Sequence, residues 1–289
     1  MMDDKFVDAA LQSGEIHKII DLVYEEIPKN LDNLRNFHNT IKMGLIFDAK
    51  NMTGGEKLLD VAVGRGGDIG KWSRAKFKYV TAFDSDKKSI YEKTDFDGAI
   101  QRYKDIQGKM FVPKCFFWNI SATDKNVVEK INGKDRGTIY DVVSCQFALH
   151  YFVKELDTLL DMVSKKLRKD GIFIGTASNG NVIKKNISIK DINIPFLSIL
   201  KKDNDSYEYD LKVNSSNGRG TYFEYRGALS EYYLDTDLLI EKCKKYSLEL
   251  VRMETFHEWK LRNKNTIKLS LSEKIISYMN FTFVFRKVY

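Results

Sequence analysis

The hydrophobic pattern changes period along the chain. Between residues 5 and 27, Phe6, Ala9, Ala10, Ile16, Ile19, Ile20 and Val23 recur at helical spacing. This predicts an amphipathic helix, with Gly14 its weak point and Pro28 its stop. A second helix is predicted over 31–47, with Lys42 on it, before Gly54-Gly55 breaks the chain. Beyond that break strands and helices alternate. Short β-rich runs at 57–63, 78–83, 112–118, 139–144 and 172–176 are separated by helical stretches, including 125–131 and 155–167. Lys169-Asp170-Gly171 reads as the stop signal of the last of these helices. Residues 179–230, rich in Asn, Lys, Ser and Tyr, interrupt the alternation and read as an insertion with its own strands. A helix at 235–246, a strand at 248–253 and a final strand at 281–288 resume it. Such alternation predicts an α/β fold, a parallel sheet with helices on both faces.

Composition narrows the class. A chain of 289 residues, 43% hydrophobic and 30% charged, can bury a substantial core and is not globally disordered. Lys and Arg total 47 against 40 Asp and Glu, a net charge of +7 that leans toward an anionic partner. Three scattered cysteines, with no CxxC pair, exclude a disulfide scaffold and a zinc ribbon. The four histidines form no ligand-spaced pair, so no metal is expected. The longest apolar runs are strand-sized and the N-terminus lacks a signal-like apolar core, so neither a membrane span nor a targeting segment is expected. The cysteine usage suits a reducing compartment. No internal repeat is found.

The first strand runs into Gly64-Arg65-Gly66-Gly67-Asp68. A glycine-rich turn there lets the backbone approach a ligand at a helix N-terminus. A P-loop would need Gly-Lys-Ser/Thr at its end, and the dinucleotide pattern would need glycine at 69, where Ile69 stands. Asp60 before the loop and Asp68 after it suit a pyrophosphate poorly but welcome the ammonium and sulfonium of S-adenosylmethionine. Asp84, ending the second strand, can accept both ribose hydroxyl hydrogens. The bland alternative is that Asp60 and Asp68 only cap the turn and helix.

Residues 58–72, Leu-Leu-Asp-Val-Ala-Val-Gly-Arg-Gly-Gly-Asp-Ile-Gly-Lys-Trp, resemble the cofactor motif of the mRNA cap guanine-N7 methyltransferases. Residues 34–42 resemble that family's upstream helix. Ser144-Cys145-Gln146-Phe147-Ala148-Leu149-His150-Tyr151 is similar to its central motif. Gly171-Ile172-Phe173-Ile174-Gly175-Thr176, Phe223-Glu224-Tyr225 and Val284-Phe285-Arg286-Lys287 follow in the same order. The wording most resembles the methyltransferase domain of a large DNA virus capping enzyme of the African swine fever virus type. That resemblance implies a class I S-adenosylmethionine-dependent methyltransferase fold, Rossmann-like, as one domain over 1–289. Within it, 1–50 would be N-terminal helices, 56–178 the cofactor-binding core, 179–230 an inserted cap-binding lid, and 231–289 the completion of the sheet. It also implies capped mRNA as substrate, triphosphatase and guanylyltransferase domains of the same capping enzyme as partners, with this chain an excised domain, and a cytoplasmic location in the host cytoplasm, the viral factory or the virion.

Residue by residue, the resemblance implies that Lys42 binds the methionine carboxylate. Asp60, Ala62, Gly64, Gly66 and Asp68 would surround the methionine end, Asp84 the ribose, Asn119 the adenine amino group in place of the family's usual Asp, and Gln146 the methyl-transfer side. His38, Asn39, Arg65, Phe147, His150, Tyr151, Glu224 and Tyr225 would contact the cap. Phe147, His150 and Tyr151 have packing as their alternative. A carboxylate such as Glu224 can accept both the N1 hydrogen and the 2-amino group of guanine, which adenine does not offer together. Three positions depart from the family pattern: His38 where Asn is usual, Ser178 where Pro is usual, and Trp259-Lys260 near a segment that usually holds Tyr. Guanine N7 carries a free lone pair, so the expected reaction is direct in-line displacement by proximity and orientation, without a general base. Two alternatives stay open: a methyltransferase for a different acceptor, and a non-catalytic methyltransferase-like RNA-binding subunit. The positive excess is expected at Arg65, Lys71 and 260–268, facing cap and RNA phosphates.

Overall fold

The computed structural model describes residues 3–24, 28, 30–93, 97–188, 190–202, 205–213 and 229–289. By internal contacts the chain divides into two compact units. The first comprises Met1–Ile41, Ala177–Asp237 and Glu254–Thr282; the second comprises Lys42–Thr176, Leu238–Met253 and Phe283–Tyr289.

The second unit carries a seven-stranded sheet. Its strands are β1 (Lys57–Val61), β2 (Tyr79–Asp84), β3 (Lys114–Asn119), β4 (Tyr140–Gln146), β5 (Leu167–Ser178), β10 (Leu248–Thr255) and β11 (Asn280–Lys287). They lie in the order β10-β11-β5-β4-β1-β2-β3. The pairs β1–β2, β1–β4, β2–β3 and β4–β5 are parallel. The central strands are apolar on both faces, as a sheet covered on both sides requires: Leu58, Leu59, Val61, Val142, Val143, Phe173 and Ile174 are buried. Phe173 meets Phe283 and Phe285 at 5.0 and 6.4 Å between ring centroids. This is the alternation read from the sequence, with strand ends shifted by at most two residues except at the start of β5, which lies five residues earlier than expected.

The helix after β4 runs Leu156–Lys166, within one residue of the expected 155–167 at each end, but Lys169-Asp170-Gly171 is not its stop signal. Gly171 lies inside β5. Leu167, already extended, ends the helix, and the chain turns at Asp170 with a φ of 59°. Two facts about neighbours set that boundary. Arg168 is held by the Asp141 carboxylate, Nε to Oδ1 at 2.7 Å, and Asp141 Oδ2 accepts from the Glu56 and Lys57 amides. These partners are remote in sequence, so no local helix signal reports them.

The first unit begins with helix Asp4–Ser13, not one helix to residue 27. Gly14 enters the left-handed region at φ 81° and its amide closes the helix onto Ala10 and Leu11, after which a new turn starts at His17. The helix Asp32–Thr53 outruns the expected end at 47 by almost two turns. The insertion has its own antiparallel sheet: β6 (Ile192–Ile194), β7 (Leu197–Lys202), β8 (Asp205–Val213) and β9 (Leu229–Tyr232), paired in that order. Asn186 ties it to the N-terminal helices. Its Oδ1 accepts from the Ile16 amide at 3.1 Å and its Nδ2 donates to the Leu11 carbonyl at 2.7 Å.

Candidate functional site

Strand order reverses between β1 and β4, so their connections leave in opposite directions and open a crevice beyond the carboxyl ends of the strands. The residues delivered there are Asp60 and the turn after β1, Asp84 at the end of β2, Asn119 at the end of β3, and Gln146-Phe147 at the end of β4. The structure brings these together in the second unit.

The turn is held by its neighbours. Gly64 donates its amide to Asp84 Oδ2 at 2.8 Å, and Val63 donates to the Phe83 carbonyl at 3.1 Å. Asp84 Oδ1 accepts from the Asp86 amide at 2.8 Å. Ala62, Gly64 and Gly66 all have positive φ, 60°, 53° and 77°. At Gly66 a Cβ would sit 2.6 Å from Ile69 Cδ1 and 3.2 Å from the Ala99 Cα, so glycine is required by backbone angle and by space. Phe147, across the crevice, is also a non-glycine residue in the left-handed region, at φ 53°, where its amide donates to the Thr176 carbonyl at 2.8 Å. Backbone held in such regions on both sides of the crevice is the kind of strain that gathers at ligand sites. Gln146 is fixed by Ser144 Oγ at 3.1 Å and Thr176 Oγ1 at 3.2 Å. Asn119 donates its Nδ2 to the Asp84 and Ser85 carbonyls, both at 2.9 Å, which assigns Oδ1 as the acceptor for an incoming group.

Charge is concentrated beneath the turn. Asp68 Oδ1 lies 2.8 Å from Lys42 Nζ and 2.7 Å from Lys71 Nζ, and Lys71 also donates to the Gly67 carbonyl at 2.9 Å. Burial works against the ionised Asp68 carboxylate, but the two ammonium groups outweigh it and hold its pKa down at about 2. Asp60 is 2% exposed. Burial first, then the Asp68 charge, pushes its pKa well above the ordinary value, against the pull of Lys42 and Lys71. The two carboxylates thus differ: Asp68 is committed to two lysines, and Asp60 lacks enough local positive charge to ionise easily.

Several expected cap contacts are placed differently. His38 is buried in the first unit, its Nε2 2.9 Å from Ser277 Oγ and its ring edge-on to Phe256 at 5.1 Å, so it packs the core there. Asn39 beside it is exposed. Trp259 is also core, against Phe37 at 6.2 Å. His150 is buried and meets the half-buried Tyr151 ring at 4.3 Å. Glu224 and Tyr225 lie outside the described residues. Four of the cations expected to face phosphates are held by carboxylates: Arg65 by Glu92, Lys71 by Asp68, Lys260 by Asp4 and Arg262 by Glu254.

One polar centre was missed from sequence. Glu231, on β9, is 1% exposed, and its Oε2 accepts from Ser178 Oγ at 3.0 Å and from the Tyr209 hydroxyl at 2.5 Å. Ser178 is one of the three departures noted above, and its hydroxyl is what a proline there would lack. The signal available in the sequence was the repeated Glu-Tyr pair, 224-225 and 231-232.

Residues 27–285 match the mRNA (guanine-N(7))-methyltransferase domain family. The chain belongs to this family. Among curated relatives, it is 36% identical over 160 residues to the mRNA cap guanine-N(7) methyltransferase of Caenorhabditis elegans, covering 52% of this chain and 40% of that protein. It is 25% identical over 287 residues to the "Probable mRNA-capping enzyme" of Acanthamoeba polyphaga mimivirus, covering 86% of this chain and 24% of that protein. It is 30% identical over 240 residues to the mRNA cap guanine-N(7) methyltransferase 1 of Oryza sativa, covering 78% and 62%. The chain therefore spans under two thirds of the length of these relatives. Among solved structures, a S-adenosylmethionine-dependent methyltransferase from Clostridium acetobutylicum superposes with a TM-score of 0.52 at 12% identity, covering 95% of this chain and 98% of that one. The CcbJ methyltransferase from Streptomyces caelestis gives 0.51 at 14% identity, covering 94% and 96%. At such identities the likeness establishes the class I, Rossmann-like methyltransferase fold. No helix among the described residues is long and apolar enough to cross a membrane.

Proposed function

We propose that this chain transfers a methyl group from S-adenosylmethionine to N7 of the guanine cap of RNA, converting GpppRNA to m7GpppRNA. The observation that carries the reading is the acidic crevice of a chain of this family: Asp60, Asp68 and Asp84 gathered around a strained glycine turn. These residues fit the cofactor. A phosphate would meet carboxylates, whereas a cationic ligand relieves the cost of ionising buried Asp60. When bound, S-adenosylmethionine supplies a methyl group on a sulfonium, open to in-line displacement by a lone pair.

In this reading Asp84 accepts from the ribose hydroxyls while Oδ2 continues to pin the Gly64 amide. Asn119 offers Oδ1 to the adenine amino group. Lys42, sharing Asp68 with Lys71, is the cation placed to take the methionine carboxylate. Ala62, Gly64 and Gly66 let the backbone approach closely. Gln146 and Phe147 line the carboxyl end of β4, followed by His150 and Tyr151. N7 loses no proton on methylation, so the protein supplies position and water exclusion instead of a general base. Fixed alignment is worth up to about 7–11 kcal/mol.

Guanine would be read by a carboxylate that accepts from N1–H and the 2-amino group. Glu224, with Tyr225, is the first candidate. The buried, doubly hydrogen-bonded Glu231 supports a second reading of the same role. Asn39 and Arg65 are proposed at the cap, with His38 positioning Asn39 from the core. Capped mRNA is the proposed partner. Triphosphatase and guanylyltransferase domains are proposed to accompany it, supported by the named mimivirus relative, of which this chain spans 24%.

The test separates the two roles. Asp84→Ala is expected to lower S-adenosylhomocysteine affinity at least tenfold in calorimetry. Glu231→Gln and Glu224→Ala are expected to leave that affinity within twofold, and the one that reads guanine to cut turnover on capped RNA at least a hundredfold. Near-full turnover in both glutamate variants overturns the guanine assignment.

A further inference from the structure

The cations expected near the glycine turn are neutralised, so the surplus of +7 must be expressed elsewhere. In the second unit four basic side chains line a cleft of about 650 Å³ on one face of the sheet, bounded by β1, β2, β3 and the end of helix Val127–Asp135. Lys57 from β1, Lys114 from β3, Lys134 from the helix and Arg136 just after it line this cleft, and all four are exposed. None of the four is in an ion pair with a described residue. The carboxylate in the lining, Asp135, is already engaged: Lys166 Nζ lies 2.8 Å from its Oδ2, and the Tyr140 hydroxyl donates to the same oxygen at 2.8 Å. The floor is therefore satisfied and close to neutral, while the rim is positive.

The same face carries aromatic rings. Lys114, Phe116 and Trp118 alternate along the edge strand β3, so all three point to the cleft. Phe116 is 42% exposed and its ring lies near parallel to Trp118, with 6.3 Å between centroids and 29° between planes. Lys114 Nζ sits 5.4 Å over Phe116. Tyr79, at the start of β2, is 46% exposed on the same lining. A lysine on an edge strand guards against strand pairing, which accounts for Lys114 alone. It does not account for cations converging from three elements on exposed rings.

We propose that this cleft binds single-stranded RNA, with unpaired bases stacking on Phe116 and Trp118 and phosphates contacting Lys57, Lys114, Lys134 and Arg136. Every base offers a face to an aromatic ring and every nucleotide a phosphate to a cation, so this lining suits a single strand without sequence preference. A duplex buries the base faces that the rings need. The cleft is separate from the crevice: along β2, Tyr79 precedes Asp84 by about 17 Å at the usual rise of a strand. Along β3, Trp118 adjoins Asn119 in the chain but faces the other way. The choice of RNA rests on the proposed function, whereas single-strand binding does not.

The experiment is fluorescence anisotropy of the full chain with an uncapped, 3′-labelled RNA of twelve mixed nucleotides, over a salt series, beside methylation of the GpppG dinucleotide. Phe116→Ala is expected to weaken RNA binding about tenfold with an unchanged salt slope. Lys114→Glu with Arg136→Glu is expected to weaken it and to flatten the slope by about 0.7 per lost phosphate contact. Both sets replace exposed side chains, both should keep the wild-type melting temperature, and both should methylate GpppG at the wild-type rate. Wild-type RNA affinity in both variants overturns the proposal, as does equal affinity for a duplex or no RNA binding by the folded protein. Loss of GpppG methylation in the wild-type chain would instead count against the proposed function and leave the binding result standing.

Discussion

Asp68→Asn tests the electrostatic account of the crevice without reference to any ligand. The wild-type carboxylate is about 10% exposed and shared by Lys42 and Lys71 at 2.8 and 2.7 Å. Its pKa is held at about 2 against an ordinary 3.8. A depression of that size corresponds to about 2 kcal/mol of stability from the ionised form. The direction follows from proton counts. Between about pH 4 and pH 2 the unfolded chain binds the proton and the folded one does not, so stability rises with pH through that window. Asparagine keeps the shape and one acceptor but leaves the half-buried Lys42 and buried Lys71 ammonium groups without their shared counter-charge. About 2 kcal/mol is thus expected at pH 7, toward about 3–5 kcal/mol if the site does not relax. Urea unfolding at pH 7 and at pH 3 should show the variant less stable at pH 7 and the deficit shrinking at pH 3, as the wild type begins to lose its own contribution. Equal stability at pH 7, or a deficit independent of pH, would show that Asp68 does not hold the two lysines as an ionised carboxylate.

Two further outcomes bear on the same turn. Because burial and Asp68 hold the Asp60 pKa high, a bound sulfonium or ammonium should favour its ionised form. S-adenosylmethionine binding should then release a proton and tighten as pH rises above the ordinary carboxylate range; calorimetric heats that depend on buffer ionisation enthalpy in the wild type, but not in Asp60→Asn, would show this, and identical buffer dependence would exclude it. Gly66→Ala places a Cβ 3.2 Å from the Ala99 Cα at a φ of 77°, a cost of about 1–2 kcal/mol from the backbone alone. A lowered melting temperature together with weaker S-adenosylhomocysteine binding is expected, and an unchanged melting temperature would show that the turn is not under that constraint.

What could be read from the sequence was what local chemistry encodes. The β-rich runs of the second unit read correctly because a two-sided buried strand is apolar throughout, and Leu58-Leu59 and Ile172-Phe173-Ile174 leave no other option. The turn after β1 read correctly because its glycines and the strand-end carboxylate Asp84 act within a few positions of themselves. What failed was decided by partners distant in the chain. Gly171 looked like a helix stop, but Asp141, holding Arg168, is part of a boundary that lies earlier. Nor did local sequence show that Arg65, Lys71 and Lys260 have Glu92, Asp68 and Asp4 beside them. His38 looked like a surface contact because a lone histidine carries no mark of burial. Ser178 looked like a simple departure, yet its hydroxyl meets Glu231 across more than fifty residues. The basic, aromatic cleft was invisible for the same reason: Lys57, Lys114 and Arg136 are ordinary surface residues until the parallel register sets their strands and the following helix side by side.

The central claim is that the acidic crevice holds the methyl donor for a guanine acceptor. The most direct measurement is incubation of the chain with labelled S-adenosylmethionine and RNA capped with GpppG or with ApppG, followed by nuclease digestion and identification of the methylated nucleoside. 7-Methylguanosine is expected from the guanine cap, with no label on the capping adenine. Equal methylation of both capping bases, or no transfer to either while S-adenosylhomocysteine binds, would contradict it.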